Sequence, residues 1–222
     1  MKRWDKLPLE MQKEVIKPYY QILKKRKVSR FLKRCFDIVM SFFPLFLLFP
    51  FFLLIGILIK LTSKGPVFYR QVRVTRYNKD FRIFKFRTMV VNADQKGTLV
   101  TTKNDSRITR IGKFLRKTKL DELPQLINVL FGQMTFVGTR PEVRKYVDAY
   151  NDEMLATLLM PAGITSSASV KYKDEASLIE SAQDIDDVYI NQILKDKMKY
   201  NLEDIKKFNF FREIGCIFKT IF

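Results

Sequence analysis

The run Ile38-Val39-Met40-Ser41-Phe42-Phe43-Pro44-Leu45-Phe46-Leu47-Leu48-Phe49-Pro50-Phe51-Phe52-Leu53-Leu54-Ile55-Gly56-Ile57-Leu58-Ile59 decides how this chain folds. It holds no charged residue across its 22 positions, and at about 1.5 Å per residue a helix of that length just crosses a hydrocarbon core of about 30 Å. Aromatic residues occur all round it, which predicts contact with lipid rather than with a one-sided core. Two features argue against a plain span. Pro44 and Pro50 lie inside the run, and each removes a backbone donor and kinks or breaks a helix. At Pro50, next to Phe49, the Phe46 carbonyl loses its donor and needs another partner, for which Ser41 is a candidate. Cations also flank both ends, Lys33 and Arg34 before it and Lys60, Lys64, Arg70 and Arg73 after it. The positive-inside rule then places both ends on the cytoplasmic face. A bent, re-entrant helix that enters one leaflet satisfies both facts better than a span does.

Working outward, residues 1–31 form a basic N-terminal arm interrupted by Pro8 and Pro18 and ending near Lys24-Lys25-Arg26-Lys27. A short amphipathic helix through Leu9, Val15 and Ile16 predicts either an arm lying on acidic lipid or a solvated tail. It does not read as a secretory signal, because the apolar run begins too late and no small-residue cleavage site follows. The chain as a whole carries a net charge of +18, which favours anionic partners such as phosphates, acidic lipids or nucleic acid. Its hydrophobic fraction of 47% allows a sizeable core. There is no histidine, so Ser-His-Asp and Cys-His catalysis and His-ligated zinc are excluded. The two cysteines, Cys35 and Cys216, are far apart and without ligand spacing, which fits free thiols in a reducing compartment.

After Gly65-Pro66 the pattern changes to that of a folded domain. Val67–Val74 and Phe81–Arg87 predict strands joined near Tyr77–Asp80, with Lys and Arg recurring along them, so that one sheet face could carry a row of cations. Residues 92–106 read as a loop, Arg107–Thr118 as a helix and Gln133–Val137 as a short strand. Gly138-Thr139-Arg140-Pro141 reads as a tight turn. The segment Ser177–Asp187 reads as acidic and helical. The tail Leu202–Phe222, with Phe210, Ile214, Ile217, Phe218 and Ile221 on one side, reads as an interfacial or docking helix.

Leu120-Asp121-Glu122-Leu123-Pro124-Gln125 carries the candidate chemistry. Leu123, Leu126, Ile127 and Leu130 follow the spacing of a helix with one buried face. That places Asp121 at an N-cap and Glu122 in the first turn, where negative charge is favoured. A capping role alone would account for such a pair. An ionised carboxylate beside Arg107, Arg110, Lys113, Arg116, Lys117 and Lys119 is also a candidate nucleophile or metal ligand.

The order of segments resembles that of the monotopic bacterial sugar transferases, the polyprenyl-phosphate phosphoglycosyl transferases. The matching pieces are Lys33-Arg34-Cys35-Phe36-Asp37, the Pro50-broken helix, Gly65-Pro66-Val67-Phe68, Lys85-Phe86-Arg87-Thr88-Met89, Arg107–Gly112, Leu120–Leu126 and Val137-Gly138-Thr139-Arg140-Pro141. The resemblance implies that Asp121 is the nucleophile and that Glu122, with Asp121, supports Mg²⁺ and the diphosphate. It implies a UDP-sugar donor and a polyprenyl phosphate acceptor, with Lys85, Arg87, Arg107, Arg116, Arg140 and Pro141 at the phosphates and nucleotide. It implies an α+β fold: a monotopic membrane protein with a re-entrant broken helix over 32–62 and a small, mostly helical cytosolic catalytic domain over 63–222. That domain would carry a short β-hairpin and amphipathic interfacial helices, on the cytoplasmic face of the bacterial inner membrane.

The chain departs from the family pattern at Thr139, where a proline usually stands, and at Ser166-Ser167-Ala168-Ser169. Both changes bear on the sugar and nucleotide pockets. Two other readings fit parts of the sequence. A non-catalytic, membrane-anchored basic scaffold accounts for the charge and the apolar run. A nucleic-acid-binding protein accounts for the charge alone, and no binding motif is present.

Overall fold

The computed structural model describes residues 1–93, 105–172 and 185–221, and the fold is α+β. Helix α1 (Lys17–Lys25) follows three short 3₁₀ turns. The apolar run forms two helices, α2 (Lys27–Leu47) and α3 (Phe49–Thr62), bent by 63° at Leu48. Pro50 sits in the first turn of α3, where a missing N–H costs nothing. Pro44 stays inside α2 without ending it. The Phe46 carbonyl shares the Leu48 N–H with the Pro44 carbonyl, so Ser41 is not its partner. The Ser41 hydroxyl instead donates to the carbonyls of Asp37 (2.6 Å) and Ile38 (3.2 Å). Among the described residues no single helix is long and apolar enough to cross a membrane, although the bent pair has the length and composition to do so.

The flanking cations do more than face lipid headgroups. Lys33 is buried, donating to the Val137 carbonyl and to Glu213 at 2.7 Å each. Arg34 donates to the Val129 and Leu130 carbonyls, and Asp37 accepts from the Thr135 hydroxyl and the Phe136 N–H. These contacts dock the base of α2 on the folded body, so the stretch from Lys33 to Asp37 is a structural anchor. Beyond it Ile38, Val39, Phe42, Phe43, Phe46 and Leu47 are exposed. On α3 the picture is mixed. Phe51, Leu53, Leu54 and Ile57 are exposed, while Ile55 and Ile59 pack against Phe86 and Leu115, so not every face of the run is free for lipid.

The N-terminal segment is neither a lipid-lying arm nor a solvated tail. Leu7, Met11, Ile16, Tyr19, Tyr20 and Leu23 join the core formed by Val74, Tyr77, Val147, Leu159 and Ile205. Met11, Ile16 and Leu23 are fully buried, each contributing roughly 1.5–3 kcal/mol as an upper estimate.

Among the described residues the strands form three two-stranded sheets. β1 (Phe68–Tyr69) pairs antiparallel with β4 (Lys85–Phe86), and β2 (Val72–Thr75) with β3 (Lys79–Arg82). The two predicted strands are thus each divided, and the hairpin turn holds Tyr77 and Asn78 at positive φ. β5 (Met134–Val137) runs parallel to β6 (Ala162–Thr165), close enough that a Cβ on Gly163 would meet the Gly138 backbone at 2.2 Å. Only glycine fits there.

Helix α4 (Arg110–Lys117) begins later than predicted, because Thr109 caps it by accepting from the Gly112 N–H. Helix α5 (Gln125–Leu130) follows Pro124. Most of the acidic segment Ser177–Asp187 lies outside the described residues, and so does most of the loop 92–106. The helix Lys195–Lys206 and the C-terminal helix Phe210–Ile221 close the fold, the latter with Phe211 and Phe218 exposed.

Candidate active site

Asp121 is not a helix cap. It lies with Glu122 in a 3₁₀ turn, Leu120–Glu122, entered through Lys119 at φ 57°. The turn ends at Glu122, and Pro124 stands at the N-cap of α5, so α5 begins only after the acid pair. The 3₁₀ turn presents the two carboxylates differently. Asp121 is 8% exposed and borders a cleft of about 490 Å³. Among the described residues it accepts no hydrogen bond and pairs with no cation. Burial raises its pKa above the ordinary aspartate range, and the Lys85 charge pulls the other way.

Glu122 is clamped. Its Oε1 accepts from Lys85 Nζ at 2.7 Å and from Arg140 Nη2 at 3.0 Å. Burial opposes its ionisation, yet Arg140 and Lys85 hold it well below the usual carboxylate range. Lys85 in turn has its pKa lowered by burial, against the pull of Glu122. Such charge-assisted pairs in a partly enclosed site are strong and fix geometry.

Arg73, Lys85, Arg87, Arg107 and Arg116 share the cleft lining with Asp121, and Phe68, Phe86, Met89, Val90 and Val91 form its apolar part. Arg87 is buried; its Nη2 donates to the carbonyl and hydroxyl of Ser63, both at 2.8 Å. Among the described residues its Nε and Nη1 have no partner, which leaves donors for an anion. Arg107 is held by Asp105 and by the Ala93 carbonyl. Arg140 and Pro141 do not line the cleft. Arg140 donates to Glu122, the neighbour of Asp121, and the Pro141 carbonyl accepts from Arg73 Nη1 at 3.2 Å. Phe49 and Pro50 mark the helix bend and do not line the cleft.

A profile of the bacterial sugar transferases matches residues 28–222. The chain belongs to that family. It is 39% identical over 198 residues to a UDP-N-acetylgalactosamine-undecaprenyl-phosphate N-acetylgalactosaminephosphotransferase of Aeromonas hydrophila, covering 87% of this chain and 44% of that protein. It is 36% identical over 199 residues to a UDP-glucose:undecaprenyl-phosphate glucose-1-phosphate transferase of Klebsiella pneumoniae, covering 88% and 40%. A putative undecaprenyl-phosphate N-acetylgalactosaminyl 1-phosphate transferase of Bacillus subtilis is 40% identical over 130 residues, covering 58% and 73%. The chain spans less than half the length of the first two relatives.

Within this bacterial sugar transferase two contributors to the site lie outside the sequence reading. Arg73 was legible as a cation after the apolar run and on a strand with a possible row of cations, not as a site residue; β2 carries it into the cleft, where Gln71 Oε1 takes its Nη2 at 2.7 Å. Asn128, fully buried on α5, accepts from the Phe84 N–H at 2.8 Å. Its Nδ2 donates to the Arg82 carbonyl (3.0 Å) and Gln133 Oε1 (2.7 Å). It fastens the strand carrying Lys85 to the helix behind Asp121. An Asn inside an apolar helix pattern was the available signal.

Proposed function

We propose that the protein is a phosphoglycosyl transferase that moves a sugar 1-phosphate from a UDP-sugar to a polyprenyl phosphate. The observation that carries this reading is Asp121, a buried, unpartnered carboxylate opening on a cation-lined cleft. The activities named for the two longest-matching relatives above, which pair UDP-sugars with undecaprenyl phosphate, support the substrate classes.

In the first step an Asp121 oxygen attacks the sugar-bearing phosphorus. An Asp121–phosphorus bond forms, the phosphorus–oxygen bond to the nucleotide breaks, and UMP leaves. A polyprenyl phosphate oxygen then attacks the same phosphorus, releasing Asp121 and giving polyprenyl diphosphate sugar. The covalent step lets a water-soluble donor and a lipid acceptor use one site in turn. Arg73, Arg87 and Arg116 are placed to bind the diphosphate, and Lys85 keeps Asp121 ionised against its burial. Lys85 and Arg140 fix Glu122 beside it.

Mg²⁺ is the proposed cofactor, held by Asp121 and Glu122. Among the described residues no three metal-ligating side chains cluster. Two carboxylates with substrate phosphates and water suit Mg²⁺, which rarely occupies an all-protein cage. When bound, it would neutralise the diphosphate charge. The bent pair α2–α3 is read as a re-entrant membrane hairpin, on the exposed apolar residues of both helices, the exposed Lys60 in the last turn of α3 and the exposed Lys64 after it. On this reading the proposed place of the cleft is the cytoplasmic face of the bacterial inner membrane, and its proposed role the first membrane step of surface glycan assembly.

The test is UMP release from UDP-sugars with membranes carrying the protein, plus intact mass of the chain after donor alone. Wild type should release UMP before acceptor is added and gain one phosphosugar; Asp121→Asn and Asp121→Ala should do neither. Near-native release by Asp121→Ala would remove Asp121 as the nucleophile. No UMP from any donor would leave the scaffold reading. Glu122→Gln should flatten the Mg²⁺ response, and an unchanged response would remove its role at the metal.

A further inference from the structure

A second basic cavity, of about 350 Å³, opens beside the base of α2 and shares no lining residue with the catalytic cleft. Arg30, Arg34 and Arg76 line it, together with Lys33, Asp37 and Phe131. Lys33 is compensated by Glu213 at 2.7 Å. Asp37, the carboxylate in the lining, accepts from Thr135 and Phe136 and interacts electrostatically with Lys33 and Arg34. The three arginines outnumber it. Arg34 gives its Nη1 and Nη2 to neutral carbonyls, Val129 and Leu130, at the C-terminal end of α5. Arg30 Nε donates to the Leu23 carbonyl at 2.9 Å. Arg76 lies over the Tyr77 ring at 4.9 Å. Among the described residues none of the three forms a salt bridge, so three positive charges converge on one concave space.

Position supplies the ligand. Arg34 and Arg30 precede Ile38, the first exposed apolar residue beyond the anchor, by four and eight residues on α2, about 6 and 12 Å along the helix axis. Phe131, 73% exposed, stands at the same rim. A site with cations just above the apolar boundary and an aromatic at its edge lies at the depth of lipid phosphates.

We propose that this cavity is a phosphate-binding site for an anionic lipid headgroup, separate from the catalytic cleft. The lipid source rests on the membrane reading above; the phosphate chemistry rests on the three arginines alone. Through Arg34, the site reaches the end of the helix that follows Asp121 and Glu122, so an occupied site would also hold α5 in place.

The test uses the full chain in nanodiscs of phosphatidylcholine, with or without phosphatidylglycerol, and counts lipids retained after detergent extraction by native mass spectrometry. Wild type should retain phosphatidylglycerol and not phosphatidylcholine. Arg30→Gln/Arg76→Gln should bind phosphatidylglycerol roughly thirtyfold more weakly, since two cations near an acidic surface are lost. Gln keeps a donor for the Leu23 carbonyl. Arg30→Lys/Arg76→Lys should restore most of the binding, which loss of fold would not allow. Displacement by millimolar inorganic phosphate, in wild type and not in the Gln variant, would assign the site to free phosphate instead. Equal retention of phosphatidylglycerol by wild type and the Gln variant, or of both lipids by wild type, would overturn the site. Failure of wild type to enter neutral nanodiscs would overturn the membrane reading and the lipid source with it, leaving the phosphate arm to decide the rest.

Discussion

Asn128→Ala tests whether the site is held from behind. The substitution removes three hydrogen bonds, from the Phe84 N–H at 2.8 Å and to the Arg82 carbonyl and Gln133 Oε1 at 3.0 and 2.7 Å. Arg82 is exposed, so its carbonyl is rehydrated at little cost. The Phe84 N–H and Gln133 Oε1 are partly buried and lose their partner, at about 1–3 kcal/mol for an unsatisfied group and about 1 kcal/mol for an ordinary bond. The total is about 3 kcal/mol. For a chain of this size that lowers the melting temperature by about 6–12 °C. Activity should fall further than stability, because Phe84 immediately precedes Lys85 and its clamp on Glu122. Thermal melts of the full chain in detergent give the first number. UMP release by the Asn128→Ala/Lys85→Met double variant and both single variants gives the second. If Asn128 acts by placing Lys85, the two losses will not add. A melting shift below 2 °C, or additive losses of activity, would refute this reasoning.

Other outcomes follow from the same geometry. The proposed nucleophile Asp121 would act ionised; burial raises its pKa and Lys85 restrains it, so Lys85→Met should move the acid limb of kcat/KM to higher pH. An unmoved or lowered limb contradicts the assignment. Glu122 has a depressed pKa. Its stabilisation is therefore complete above the ordinary glutamate range and fades as pH falls toward the depressed value, a dependence that Lys85→Met should weaken in acid melts. Gly65 has φ 121°, and a Cβ there would lie 2.1 Å from Arg87 Nη1; Gly65→Ala should raise the KM for donor by about tenfold or more, and an unchanged KM would separate Arg87 from the diphosphate. Replacing Pro44 and Pro50 by Leu should straighten the α2–α3 bend and bias the chain toward a full span. This is read by impermeant labelling of single cysteines at Lys24 and Lys64 in intact cells. External labelling at Lys24 alone in the native chain would rule out the hairpin.

What the sequence could reveal divides along physical lines. Proline acts locally, so the break near Pro50 was readable, though not that Pro44 would be tolerated or that the bend would centre on Leu48. Composition likewise exposes a cation-rich, histidine-free chain. The placement of those cations depends on long-range packing and was hidden. Lys33 and Arg34 look like headgroup residues, and only the buried carbonyls of Val129, Leu130 and Val137 show them to be anchors. The N-terminal segment reads as basic and loose because its apolar residues are sparse. Leu7, Met11 and Ile16 are buried only where residues more than fifty positions away complete the core.

The acid pair shows the same division within one short stretch. Apolar spacing located α5, but it turned the helix wrongly. The expected inner face ran through Leu123, Leu126, Ile127 and Leu130, whereas the structure buries Gln125, Leu126, Asn128 and Val129. Periodicity scores apolar residues and discounts Asn, yet here the buried amide finds three partners and so belongs inside. That rotation has a chemical consequence. With Asn128 inward, the strand bearing Lys85 is tied to α5, and Lys85 meets Glu122 rather than Asp121. The clamp falls on one carboxylate and leaves its neighbour open to the cleft. A helix-capping pair would have placed both in similar surroundings; the 3₁₀ turn ahead of Pro124 separates them. The difference between a paired and an unpaired carboxylate, the basis of the proposed nucleophile, therefore arises from a buried Asn and a proline that sequence periodicity does not weigh.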